Sequence, residues 1–89
     1  MSINITLPSV EEVNEWWPTD VATFLETNRK KLFLEDDDIK TLKDNRVSGP
    51  AFLELTLEKL LASPYELPGG PAEVIAELVN KIKDEGQGK

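Results

Sequence analysis

Eighty-nine residues, 39% of them hydrophobic and 30% charged, make one small globular domain whose core forms only if nearly all of its apolar side chains converge. The absence of cysteine and histidine removes disulfides, thiolate nucleophiles, cysteine-based metal sites and the usual general base near neutral pH. A net charge of -7 and a pI near 4.5 argue against a nucleic-acid partner, because long-range repulsion would precede any phosphate contact.

That charge is spread along the chain, with 10 acidic and 6 basic side chains in residues 1–46 and 7 and 4 in residues 47–89, so no polyelectrolyte tail stands apart. The chain does not open on a charged region followed by a long apolar run, and no apolar stretch approaches the roughly 20 residues of a membrane span. Both features predict an intracellular protein, cytoplasmic or nuclear, without a membrane partner.

Ile3, Ile5 and Leu7 alternate with polar residues up to Pro8, which predicts an extended lead-in resting partly on the core. Ser9-Val10-Glu11-Glu12 is a capping box, in which the serine oxygen accepts from the backbone N–H three residues on and Glu12 reaches back to Ser9. The short helix it starts carries Val10, Val13 and Trp16 or Trp17 and stops before Pro18. Adjacent tryptophans cannot both face inward, so one is expected in the core and the other partly exposed.

Thr19 or Asp20 is expected to start the next helix, with Val21, Phe24, Leu25, Asn28 and Leu32 on one face and Thr23, Glu26, Arg29 and Lys30 in water. Leu34 to Asp38 reads as a loop entering a helix N-terminus, where carboxylates complement the partial positive charge of free N–H groups. Ile39, Leu42 and Arg46 or Val47 give that helix its buried stripe, with Asp36, Asp37 and Asp38 outside it. The Asp36–Asp38 run lacks the alternate spacing, the glycine and the distal glutamate of an EF-hand loop, so no metal is predicted there.

Val47 to Leu61 is the most apolar run, and the other helices are expected to pack around it. Ser48-Gly49-Pro50 starts one helix, since Pro50 lacks only an N–H that would be unpaired and Gly49 lets the backbone turn sharply. Ala51, Phe52, Leu53 and Leu55 follow, Thr56 caps a second short helix, and Leu57, Leu60 and Leu61 share one face of it. Ser63-Pro64 and Leu67 to Pro71 are breaker-rich and read as loop; Gly69-Gly70 are no phosphate cradle, having neither a P-loop lysine nor a preceding strand. A clean amphipathic helix is predicted from Ala72 to about Lys83, with Val74, Ile75, Leu78, Val79 and Ile82 inward. Residues 1–16 are thus a lead-in with a short capped helix, 17–83 the helical domain and 84–89 a fraying tail.

Serines and threonines fall where caps and turns are expected, and the carboxylates fall on solvated faces and helix starts, which leaves no acid–base or nucleophilic constellation. An enzyme and a bound cofactor are therefore not predicted.

The spacing Trp17, Asp20-Val21, Phe24-Leu25, Asp38-Ile39, Leu42, Val47-Ser48-Gly49, Phe52-Leu53, Leu55-Thr56, Leu60, then Gly70-Pro71-Ala72, Ile75 and Ile82 resembles a sterile alpha motif (SAM) domain. It is most similar to a divergent fungal branch, in which an acidic Leu-x-Asp-Asp-Asp-Ile segment and a Gly-Pro-Ala helix start recur. The resemblance implies an all-α, five-helix bundle that serves as an adaptor or scaffold, for example in signalling. Such domains join head to tail, an often acidic mid-loop surface on one meeting an often basic surface at the start of the last helix on another. By position, the mid-loop residues here are Asp36, Asp37, Asp38, Asp44, Glu54 and Glu58, and the end-helix residues are Gly69, Gly70, Pro71, Ala72 and Glu73. Ala72 and Glu73 stand where many members carry arginine or lysine, so the implied partner is another SAM-like domain with a basic end helix. Self-association, as a homodimer or head-to-tail polymer, is the alternative. RNA-hairpin binding, known in the family, needs a basic patch where this chain has Glu73 and Glu77.

Overall fold

The computed structural model describes residues 5–86, and these contain seven helical segments and no strand. They are α1 (Val10–Val13), α2 (Pro18–Thr27), α3 (Arg29–Leu32), α4 (Asp36–Asp44), α5 (Gly49–Leu53), α6 (Leu57–Leu61) and α7 (Gly69–Gly86). Only Asn28 separates α2 from α3; its backbone leaves helical angles at φ -106 and ψ 14 while its side-chain amide donates to the Phe24 carbonyl at 2.9 Å. The pair stands where one helix was predicted, and with α4–α7 it makes the expected all-α, five-helix bundle.

The core forms where α7 packs on α6, α5 and α1, and where α2 packs on α4 and α5. Phe52 is its largest fully buried side chain, among Leu25, Leu42, Leu60, Ile75, Leu78 and Ile82. The predicted stripe of α7, Val74 to Ile82, is buried throughout. In the lead-in, Val13 is buried completely and Ile5, Leu7 and Val10 rest on the core, while Ile3 lies outside the described residues. Trp16 is half-buried against the core with its ring 5.2 Å from that of Phe24, and Trp17 is 73% exposed, so the two divide unequally but neither is buried within the core, where one was expected.

Several helix starts differ from expectation. Helix α2 begins at Pro18, not at Thr19 or Asp20; the Asp20 carboxylate accepts from the Trp17 N–H at 2.9 Å, so it caps the turn from its third position. At α1 the Ser9 oxygen accepts from the Glu12 N–H at 3.0 Å, but the reciprocal bond to Glu12 is absent among the described residues. Helix α7 begins at Gly69, three residues early, because the N–H groups of a first turn have no intrahelical carbonyl to donate to, so a proline without an N–H is tolerated at Pro71; the Ala72 N–H closes on the Pro68 carbonyl at 3.0 Å. In α6 only Leu60 is buried, while Leu57 and Leu61 are 37% and 47% exposed. At about 100° per residue, Leu57 lies roughly 60° and Leu61 roughly 100° round the helix from Leu60, which is the order of their exposure.

Gly49 is needed for a reason other than turning. No glycine among the described residues has positive φ, but a Cβ on Gly49 would sit 1.6 Å from the Val13 carbonyl oxygen. The Gly49 N–H donates to the Trp16 carbonyl at 2.9 Å, so backbone meets backbone where α5 crosses the end of α1.

Helices α3 and α4 end alike, each through a residue in the left-handed region. Phe33 (φ 58) donates to the Lys30 carbonyl at 3.2 Å and Leu34 to that of Arg29 at 3.0 Å; Arg46 (φ 55) donates to Lys43 at 2.9 Å and Val47 to Leu42 at 3.2 Å. This paired bonding reverses the chain and drives the next residue inward: Leu34 and Val47 are buried.

Candidate functional site

The Schellman turn at Phe33 delivers the chain directly into the acidic start of α4. Asp36 and Asp37 occupy its first two positions with their side chains in water, beside N–H groups that have no intrahelical acceptor. Asp38, the third, is 5% exposed, and its Oδ2 accepts from the Glu35 N–H at 2.9 Å. The expectation that Asp38 lies outside the buried stripe is corrected: its carboxylate is turned back to cap its own helix.

Two ion pairs temper the remaining acid. Asp36 Oδ1 lies 3.5 Å from Arg29 Nε across the α3–α4 turn, and Asp44 Oδ2 lies 2.6 Å from Lys40 Nζ one turn back along α4. The hydrogen bond and then the charge of Asp44 raise the Lys40 pKa above its ordinary value, so that ammonium stays charged at any physiological pH. Both pairs are largely exposed, so they orient side chains more than they stabilise the fold.

Facing α2 and α4 enclose a shallow cleft of about 410 Å³ lined by Glu26, Asp36, Asp37, Ile39, Lys40, Lys43 and Asp44. Three of the predicted mid-loop residues, Asp36, Asp37 and Asp44, therefore share one groove, and Glu26 joins them from α2. Sequence reasoning placed Glu26 correctly in water but missed its part in the groove, since the packing of α2 on α4 is a tertiary fact that no local pattern carries. Glu26 and Asp37 have no ion-pair partner among the described residues.

The other two mid-loop candidates sit elsewhere. Glu54 ends α5 and lines a separate cleft of about 250 Å³ with Val10, Asn14, Pro50, Leu53 and Lys83. Glu58 is exposed in the first turn of α6. Of the end-helix residues, Gly69, Gly70 and Glu73 are exposed and Pro71 is half-buried, whereas Ala72 is fully buried and can present nothing to a partner. The two glycines have open space around them, and the first turn of α7 carries no acidic side chain.

Two aromatic rings stand in solvent, Trp17 at 73% and Phe33 at 82% exposure. Phe33 escaped sequence reasoning because Leu32-Phe33-Leu34 reads as one apolar run; only the left-handed turn reveals that its middle member points out while its neighbours are buried. Among the described residues, no group of three or more histidine, cysteine, aspartate or glutamate side chains converges on a metal position, and no helix is long and apolar enough to cross a membrane.

A family model described as a SAM-like domain matches residues 1–81, which takes in the lead-in and most of α7. No curated protein and no solved structure matches the chain.

Proposed function

Because the chain belongs to the SAM-like domain family, whose members are in general non-catalytic protein–protein interaction modules, we propose that it is an adaptor that binds another SAM-like domain through the acidic groove between α2 and α4. The observation that carries this proposal is the gathering of Glu26, Asp36, Asp37 and Asp44 on one exposed surface, against only Lys40 and Lys43 on the same lining. A basic end-helix surface on the partner is the complement. Charged groups so arranged speed encounter and fix register more than they add affinity.

Self-association is the weaker alternative, because the start of α7 offers Gly69, Gly70 and Glu73 to a partner and no basic side chain. A light-scattering concentration series separates the two: a mass that stays monomeric favours the heterotypic complex. The groove itself is tested by reversing Glu26 and Asp37 together (Glu26→Lys with Asp37→Lys) and titrating a purified partner. Both side chains are exposed, so the helical fold should survive and binding should be lost; undiminished affinity would move the interface elsewhere.

A further inference from the structure

We infer that Phe33 is the apolar anchor of this interaction, seating in a socket on the partner protein whose rim carries lysine or arginine on the side that meets α4. The inference rests on reading the acidic groove as a docking surface, and adds to it the residue and the chemistry that hold the partner in place.

Phe33 combines two features that the fold does not require. Its ring is 82% exposed, so it contributes almost nothing to the core. Its backbone is left-handed at φ 58, a conformation that disfavours a bulky side chain and is ordinarily filled by glycine or asparagine at this helix-end position. Neither packing nor turn geometry accounts for phenylalanine there, and a strained residue with an exposed aromatic ring points toward recognition.

The turn also holds the ring's attachment point in place. The N–H groups of Phe33 and Leu34 are both bonded back into α3, Leu34 is buried, and the Arg29–Asp36 pair ties the two sides of the turn together. A partner therefore meets an aromatic group on ordered backbone, which lowers the entropy lost on binding. Charge sets the orientation. Glu35, Asp36 and Asp37 follow the ring on the α4 side, and Lys30 and Lys31 precede it on the α3 side, all of them exposed. The complementary socket is basic toward α4 and not toward α3, so it accepts the ring in one direction only.

The probe is the protein captured from extract on the immobilised full chain at low salt, then purified and titrated calorimetrically. Phe33→Gly and Phe33→Asn both suit the left-handed turn, so each should melt no lower than wild type and yet bind the probe at least about tenfold more weakly, as expected for loss of an interface anchor. Lower affinity without lower stability is a signature that a purely structural Phe33 does not give. Wild-type affinity in both Phe33 variants, with Asp37→Lys weakened, overturns the anchor and leaves the acidic groove standing. Wild-type affinity in all three, or no capture at low salt, overturns both.

Discussion

Phe52 and the aspartates of α4 show how differently side chains of one small domain are used. Phe52 is fully buried, so Phe52→Ala should cost about 3–5 kcal/mol, which in a domain with roughly 5–10 kcal/mol of stability brings it close to unfolding. An unchanged urea midpoint would show that the central helix is not core. Asp38→Ala removes the carboxylate that caps α4 and should cost about 0.5–2 kcal/mol, whereas Asp37→Ala, next door and in water, should stay within about 0.5 kcal/mol of wild type. Equal effects of the two in parallel urea titrations would contradict the capping geometry. The difference between these neighbours was not legible in the sequence: Glu35-x-x-Asp38 lacks the serine or threonine that marks a capping box, so three consecutive aspartates looked equivalent.

Among the helices, legibility followed the chemistry of their ends. Ser9 and Thr56 are legible as caps, and they accept from the N–H groups of Glu12 at 3.0 Å and Lys59 at 3.2 Å; Ser48, legible only as part of a Gly-Pro helix start, also caps α5 by accepting from the Ala51 N–H at 3.5 Å. The period of α7 placed its buried stripe without error, because an 18-residue helix repeats its apolar face several times. In the five residues of α6, three leucines could not reveal which one faced inward. The ends of α3 and α4 were illegible for another reason: their left-handed residues are Phe33 and Arg46, neither of which advertises positive φ. Arg46 allows this to be measured. It is exposed and forms no ion pair among the described residues, so Arg46→Gly acts mainly on the backbone. Relief of a left-handed penalty of roughly 1–2 kcal/mol, set against roughly 0.5–1 kcal/mol of added glycine entropy in the unfolded chain, should leave a gain of between about 0 and 1.5 kcal/mol. A lower urea midpoint in Arg46→Gly would mean that the arginine side chain holds the turn by some other contact.

Charge acts on the molecule as a whole, and here it separates stability from binding. With a net charge of -7 the chain should show no measurable affinity for RNA or DNA at physiological salt; micromolar hairpin binding that weakens with salt would overturn that expectation. Added salt should have opposite effects on fold and complex. Folding confines a chain of net charge -7 to a small volume, so screening its net repulsion should leave the melting temperature unchanged or raise it. The proposed complex depends instead on attraction between exposed charges, which is screened within about 8–10 Å near physiological ionic strength. Its association rate should therefore fall steeply between low and high salt, with dissociation changing much less, because an apolar anchor such as Phe33 is insensitive to screening. Stopped-flow measurements across a salt series, with melting curves in the same buffers, test both signs together. A salt-independent association rate would remove the acidic groove from the encounter, whatever the fate of the fold.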